Sequence, residues 1–135
     1  MNILFFLKEK NDLVFVYNTD TLLDLVEKYS TYHYSSIPVI TKNNEYVGSI
    51  SEGDVLNYLV SNKLSNDDFE KIIIEDIPRR KDNTPIYSNQ EMKDLLKFSL
   101  DENFVPVLNT SDKFIGIITR KEIIEYFFEH NFYVL

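Results

Sequence analysis

The sequence contains no cysteine, so disulfide bridges, thiolate metal sites and a cysteine nucleophile are excluded. Its only glycines, Gly48, Gly53 and Gly116, do not complete a Walker-type phosphate-binding loop. The two histidines, His33 and His130, would need an unusual set of carboxylates to hold a metal ion. No carboxylates form a recognisable pair for acid and base catalysis. We therefore predict that the chain is not an enzyme, with no catalytic residue, no metal and no cofactor.

The sequence also lacks a long hydrophobic run. Residues 1–7 are apolar, but the charged residues from Lys8 onward end the run. A membrane span needs about 20 apolar residues, and a signal peptide needs a basic leading segment and a cleavage site that are missing here. We expect no membrane insertion, an opening segment that docks on the protein body or a partner subunit, and a cytoplasmic location, with which the absence of cysteine is compatible.

Positive charge is scarce, since the formal net charge is −8 at pH 7. Binding to nucleic acid phosphates depends on clustered lysine and arginine, so we expect no nucleic acid partner. All three arginines nevertheless lie in two short basic segments, residues 79–81 and 120–121. These segments could bind a small anion locally.

What the sequence does contain is an internal repeat. The segment Ile37-Pro38-Val39 returns as Val105-Pro106-Val107, and Gly48-Ser49-Ile50-Ser51 returns as Gly116-Ile117-Ile118-Thr119. Both pairs are separated by 68 residues, as are Tyr58 and Tyr126. A register kept over this length indicates two similar structural units.

Each half of the sequence predicts the element order β-α-β-β-α. In the first half, residues 13–16, 37–40 and 46–50 are predicted strands, with one helix capped near Thr21 and another capped by Ser51. In the second half, the predicted strands are residues 85–87, 104–108 and 114–118, and the last helix runs from Thr119 to about Glu129. The predicted fold class is α+β.

The sequence predicts three segments within one folding unit. These are residues 1–64 with the first repeat, residues 65–84 as a connection, and residues 85–135 with the second repeat and a C-terminal tail. Each half is too small to bury a hydrophobic core large enough for a stable domain of its own. The joint between helix and strand is about two residues shorter in the second half, so the two halves should not offer equivalent clefts.

The combination of a hydrophobic-Pro-Val strand, a glycine near a hairpin exit and a Ser/Thr-x-x-acid helix start resembles the CBS domain. Two such units in tandem are similar to a CBS pair, or Bateman module, packed with pseudo-twofold symmetry. The resemblance covers nearly the whole chain, from about Leu13 to Glu129. A weaker resemblance is to stand-alone CBS-pair proteins of Gram-positive bacteria, some of which bind cyclic di-AMP.

CBS pairs bind adenine-containing ligands in clefts that join a strand of one repeat to a helix start of the other. The resemblance implies one cleft that combines Tyr34, Ser35, Ser36 and Ile37 with Thr119, Arg120, Lys121 and Glu122. It implies a second cleft that combines Asn103, Phe104 and Val105 with Ser51, Glu52 and Asp54. This cleft would be covered by Ile77, Pro78, Arg79 and Arg80.

The residue types suit these roles. A helix start offers free N–H groups and partial positive charge to a phosphate. Asp54 could accept hydrogen bonds from a ribose, or be an ordinary first-turn acid. Arg120 and Lys121 could bind a phosphate, or they could be exposed first-turn residues in contact with solvent. The basic residues 79–81 could do the same, or pair with nearby acids.

Two functions remain open from the sequence. The favoured one is a regulatory module that binds an adenine nucleotide (AMP, ADP, ATP or cyclic di-AMP) and signals to an unknown regulated protein. The alternative is a structural or interaction protein with non-binding clefts. Under either, the apolar residues 3–7 and 132–135 favour a homodimer, which is common among CBS pairs.

Overall fold

A computed structural model of the chain describes residues 1–32 and 34–130. The apolar residues 132–135 and His33 lie outside this described part. The chain divides into two compact units. The first-repeat unit comprises residues 14–82, and the second-repeat unit comprises residues 1–13 together with the chain from Asn83 onward.

The first-repeat unit has the predicted β-α-β-β-α order. Its elements are β2 (Val16–Tyr17), α1 (Leu22–Tyr32), β3 (Ser36–Ile40), β4 (Tyr46–Ser51) and α2 (Glu52–Asn62). The sheet order is β2-β3-β4, in which β3 pairs parallel with β2 and antiparallel with β4. The first strand is shorter than the sequence predicts, because Leu13, Val14 and Phe15 lie outside it.

The second-repeat unit repeats this order and adds a strand. Its elements are β1 (Lys8–Glu9), β5 (Ile86–Tyr87), α3 (Met92–Ser99), β6 (Phe104–Leu108), β7 (Phe114–Thr119) and α4 (Arg120–Glu129). The sheet order is β1-β7-β6-β5. Strand β1 runs antiparallel to β7, so it pairs with the outer strand of the β6–β7 hairpin.

The 68-residue register is visible in the hydrogen bonds. In the first repeat, Glu52 N donates to Ser35 O at 3.0 Å, and in the second, Arg120 N donates to Asn103 O at 2.9 Å. Both hairpins carry an irregularity at the same strand position and a positive φ in the turn, at Asn44 and at Asp112. The register predicted from the sequence therefore holds in the backbone.

Each unit has its own hydrophobic core. In the first-repeat unit the core includes Leu25, Ile50 and Ile74, all fully buried. In the second-repeat unit, Ile3 and Phe6 from the opening segment join the core around Val105 and Ile118.

The segment boundaries differ from the prediction. The sequence predicts that residues 1–64 belong together, but residues 1–13 pack with the second repeat. A 3-10 turn over Ile3–Phe6 buries two apolar side chains there, and β1 adds backbone hydrogen bonds. The predicted docking of this segment is thus onto the second-repeat unit.

The connecting segment packs on the first repeat. It forms 3-10 turns over Asn66–Lys71 and Ile74–Asp76 rather than a regular helix. Leu22 N donates to Ile72 O at 2.8 Å, and Ile74 N donates to Asp20 O at 2.9 Å. These bonds fix the segment that leads to the basic residues 79–81.

Candidate functional site

The start of α2 is held by a reciprocal set of hydrogen bonds. Asp54 N donates to Ser51 Oγ at 3.1 Å, and Ser51 N donates to Asp54 Oδ2 at 3.0 Å. This capping box satisfies two backbone donors at the helix start. The predicted cap Ser51 is therefore confirmed, and the acid three residues later completes it.

Asp54 has a second partner that the sequence does not indicate. Its Oδ1 accepts from Arg80 N at 3.0 Å, and the residue is only 5% exposed. Both carboxylate oxygens thus bind backbone N–H groups of the protein. A role of Asp54 in binding ribose stays a prediction, and its position at the helix start now has a structural reason of its own.

The residues predicted to cover the second cleft, numbers 77–80, differ in their environments. Ile77 is buried in the core of the first-repeat unit, while Pro78 is exposed. Arg79 forms an ion pair with Asp82, with Nε at 2.7 Å from Oδ1, and this hydrogen bond is the main reason why the pKa of Arg79 is raised. Arg80 is exposed, and its guanidinium has no partner among the residues that the structure describes.

Tyr29 ties α1 to the end of β4. Its hydroxyl donates to Ile50 O at 2.7 Å. Burial raises the pKa of Tyr29, and the negative charges of Glu52 and Asp54 raise it further. A half-buried tyrosine therefore supports the strand that leads into α2.

The start of α4 in the second-repeat unit is more open. Glu122 N donates to Thr119 Oγ1 at 3.2 Å, which confirms Thr119 as the cap. The Glu122 side chain is exposed and does not complete a capping box as Asp54 does. Lys121 lies 3.8 Å from Glu125 in an exposed ion pair, which contributes little to stability.

Arg120 is held by carbonyl groups rather than by an acid. Its Nε donates to Glu102 O at 3.2 Å, and its backbone N donates to Asn103 O. The side chain is half-buried. Its positive charge is therefore oriented but is not neutralised by a bonded carboxylate in the described part of the chain.

Glu102 is a residue that sequence reasoning missed. It is 8% exposed, and both its carboxylate oxygens accept from Thr84 N at 3.1 Å. Asn83 Nδ2 also donates to Phe104 O at 2.9 Å. Together these bonds fasten the entry into the second repeat to the start of β6. An acid in a helix-to-strand joint carries no sequence signal of burial, so the pattern could not reveal it.

The predicted strand residues separate into exposed and buried ones. Tyr34, Ser35 and Asn103 are exposed, and Ser36 is half-buried. The buried side chains are those of Ile37, Phe104 and Val105, and Ile37 and Val105 belong to the hydrophobic cores. These two residues could offer a ligand only their backbone groups.

Within each unit the strand start and the helix start are neighbours. Ser36 pairs with Ser51 across β3 and β4, and Phe104 pairs with Thr119 across β6 and β7. The first-repeat unit further brings Arg80 to Asp54. The predicted combination of a strand from one repeat with a helix from the other stays a prediction.

Other kinds of site find little support in the described residues. Among them, no three acidic or histidine side chains are grouped as they would be around a metal ion. None of the helices in residues 1–32 and 34–130 has the length and apolar character needed to cross a bilayer.

The family model of the CBS domain matches residues 9–61 and 74–129. These segments cover more than half of the chain and coincide with the two repeats. The chain therefore belongs to the CBS domain family and contains a tandem CBS pair. The fold class predicted from the sequence is confirmed.

Solved structures of CBS proteins are similar over nearly the whole chain. CbpB in complex with c-di-AMP has a TM-score of 0.86 and 25% identity, covering 98% of this chain and 89% of that chain. CbpB from Streptococcus agalactiae has a TM-score of 0.80 and 26% identity, with coverage of 94% and 81%. The predicted resemblance to cyclic di-AMP-binding CBS proteins is thus confirmed as a likeness of structure.

A curated relative is more distant. An uncharacterised protein of Methanopyrus kandleri is 23% identical over 118 residues, which make up 86% of this chain. The chain spans 58% of the length of that relative.

Proposed function

We propose that the chain is a non-catalytic regulatory module that binds an adenine nucleotide at the starts of α2 and α4. The observation that carries the proposal is that each helix start has a hydroxyl cap and a nearby arginine whose guanidinium bonds to no carboxylate among residues 1–32 and 34–130. At α2 these are Ser51 and Arg80, and at α4 they are Thr119 and Arg120. Membership of the CBS family supports a ligand-binding role.

The chemistry of the two helix starts suits a nucleotide phosphate. The first N–H groups of a helix and its dipole favour an anion, and arginine adds charge-assisted hydrogen bonds. In a chain of net charge −8, these are places where positive charge is concentrated. The exposed Tyr34 could stack on a base, and the exposed Asn103 could bond to its edge.

Cyclic di-AMP is the first candidate ligand, with AMP, ADP and ATP as the others. The structure of CbpB was determined in complex with c-di-AMP, and that protein is similar to this chain over almost its full length. A molecule with two phosphates and two adenines could use both hydrogen-bonding and stacking groups. The bound nucleotide then acts through different affinities for two states of the protein.

The remaining parts of the proposal concern assembly. We propose that the protein is a cytoplasmic homodimer and signals to a separate, unidentified regulated protein. Exposed apolar residues support the dimer, because Leu56 and Val60 on α2 and Ile124 and Phe128 on α4 are each 59–69% exposed. Such side chains commonly mark an interaction surface when they lie together on a helix face.

A thermal-shift panel tests the proposed function. AMP, ADP, ATP, cyclic di-AMP and their guanine counterparts are each added to the purified protein. A ligand that binds only the folded state stabilises it by about 2.7 kcal/mol at one hundred times its dissociation constant. We expect one adenine nucleotide to raise Tm selectively, and its guanine counterpart to leave Tm unchanged.

Variants then locate the binding. Arg120→Ala should weaken binding of the active nucleotide at the α4 start, and Lys97→Ala, which removes an exposed lysine elsewhere in the same unit, is its control. If no nucleotide changes Tm, the proposed function is wrong, and the interaction protein with non-binding clefts becomes the better explanation.

A further inference from the structure

In the first-repeat unit, the side chains of Arg79 and Asp82 form hydrogen bonds to the backbone of strand β4. Arg79 Nε and Nη2 lie 2.7 and 3.3 Å from Asp82 Oδ1 and Oδ2. The same pair bonds to the strand, because Ser49 N donates to Asp82 Oδ1 at 3.0 Å and Arg79 Nη2 donates to Val47 O at 3.4 Å. We call this pair, with its bonds to β4, the Arg79–Asp82 clasp.

The other unit covers the equivalent edge in a different way. There β1 pairs with β7, with Lys8 opposite Ile117 and Glu9 opposite Gly116. Gly48 and Gly116 are repeat-equivalent, and a Cβ on Gly48 would overlap the clasp just as a Cβ on Gly116 would overlap Lys8 O. The clasp therefore does with two side chains what β1 does with its backbone.

The clasp occupies most of the N–H donors of the Arg79 guanidinium. Three of the five N–H donors of its guanidinium already bond to Asp82 and Val47. The edge formed by Nε and Nη2, which suits bidentate binding of a phosphate, is occupied by the carboxylate. The Arg79 side chain is also only 20% exposed. Arg79 is thus poorly placed to bind a ligand.

Arg80 has the opposite properties. Its backbone N is fixed by Asp54 Oδ1, and the residues on its two sides belong to, or lead into, the clasp. Its side chain is exposed and has no partner within residues 1–32 and 34–130. The backbone of Arg80 is therefore anchored at the start of α2, while its guanidinium is available.

We propose that Arg80 contacts the nucleotide phosphate and that Arg79 and Asp82 are positioning residues that hold the Arg80 backbone beside the start of α2. This inference rests on the proposed function. It separates the basic residues 79–81 into one ligand contact, one clasp residue and one solvated lysine, and it adds Asp82, which the sequence does not single out.

A double-mutant cycle tests the inference. Binding of cyclic di-AMP, AMP, ADP and ATP is measured by calorimetry for the wild type, Arg80→Ala, Asp82→Asn and the double variant. Loss of a charge-assisted contact should weaken binding by about tenfold or more in Arg80→Ala. We expect Asp82→Asn to weaken binding by about threefold or more, and to have little further effect in the Arg80→Ala background.

The controls separate positioning from general damage to the fold. Lys81→Ala removes the neighbouring exposed charge and should leave the affinity unchanged. Arg80→Lys should restore part of the affinity, because it keeps the charge but not the planar fork. Hydrogen exchange of residues 46–51 should increase in Asp82→Asn and stay at the wild-type level in Arg80→Ala.

Each outcome has a clear meaning. If Asp82→Asn tightens binding, Arg79 itself contacts the ligand and Asp82 competes with it, which overturns the inference. An equal effect of Asp82→Asn with and without Arg80 would show that Asp82 does not act through Arg80. If the wild type binds none of these nucleotides, the proposed function is wrong, and the role of Arg80 with it.

Discussion

Gly48 and Gly53 are close in sequence, but only Gly48 lies against other side chains at close range. A Cβ on Gly48 would overlap the Asp82 carboxylate and Arg79 Nε, whereas on Gly53 it would meet Ser51 Oγ at an ordinary 3.7 Å. The need for glycine at position 48 comes from the clasp. At position 53, in α2, glycine lowers helix stability compared with alanine.

We predict opposite effects for alanine at these two glycines. Gly48→Ala must displace the clasp and should reduce the free energy of unfolding by about 1–3 kcal/mol. Gly53→Ala should leave it unchanged or increase it by up to about 1 kcal/mol. Urea unfolding followed by circular dichroism measures both values. Equal stability of the two variants would argue against the clasp.

Because of Tyr29, the free energy of unfolding of the protein should vary with pH in the alkaline range. Its pKa is raised above the ordinary 10.0, mainly by burial. A group whose pKa is higher in the folded state contributes stability that is complete below pH 10 and is lost as the pH rises above it. From this tyrosine alone, the free energy of unfolding should fall by at most about 1.4 kcal/mol per pH unit above pH 10.

We predict that Tyr29→Phe makes this alkaline loss smaller. At neutral pH the variant should be less stable by about 1 kcal/mol, because the hydrogen bond to Ile50 O is removed. The difference from the wild type should shrink between about pH 8 and about pH 11. Urea unfolding at both pH values checks this, with the exposed Tyr32→Phe as control. A constant difference would contradict the prediction.

At the scale of elements, α2 and α4 present matching apolar faces. Leu56 and Ile124 are repeat-equivalent, and so are Val60 and Phe128, and all four side chains are more than half exposed. Within each helix the two residues are four apart, so they lie on one face. A pattern that occurs twice favours a surface that is buried in an assembly.

We predict that glutamate at these positions prevents dimer formation. Leu56→Glu combined with Ile124→Glu should give a mass near the 16.0 kDa of one chain, while the wild type gives twice that mass. The control is Leu100→Glu at the end of α3, which also removes an exposed leucine, 80% exposed in this case. Light scattering after size-exclusion chromatography measures the masses. A wild-type monomer would remove the dimer from the proposal.

The elements that the sequence predicted well are those with local signals. The helix caps Ser51 and Thr119 and the hairpin strands were all readable from residues a few positions apart. The first strand was predicted too long at its start, because Val14 and Phe15 have β-forming side chains but lie outside β2 (Val16–Tyr17). Strand length depends on pairing with β3, which is a contact between distant residues.

In the candidate site, too, features with a local sequence signal were predictable and features that depend on distant contacts were not. Its helix starts and basic segments could be predicted, since residue type and spacing carry that information. The partners of Asp54 and Glu102 could not, because each carboxylate bonds to a backbone segment 26 or 18 residues away. For Arg79, the sequence left open a pairing with a nearby acid, and the structure shows that this acid is Asp82. Burial of a charged side chain is decided by such partners and not by the residue itself.

At the scale of the whole molecule, the repeats are similar in order but differ in how they are completed. The first-repeat unit is a continuous stretch, residues 14–82, whereas the second-repeat unit needs residues 1–13 as well. The sequence repeat gave no sign of this, because the opening segment has no counterpart in the repeat. Its apolar composition predicted docking but not the surface on which it docks.

The two-part origin of the second-repeat unit bears on how the protein is made. Ile3 and Phe6 are synthesised before their core partners Val105, Val107 and Ile118, which follow the whole first-repeat unit in the sequence. The first-repeat unit, being continuous, can become ordered while synthesis goes on. Until β6 and β7 emerge, residues 1–13 lack their strand partner and their core partners. A chaperone that recognises short apolar segments would therefore find a target in residues 1–13 during synthesis.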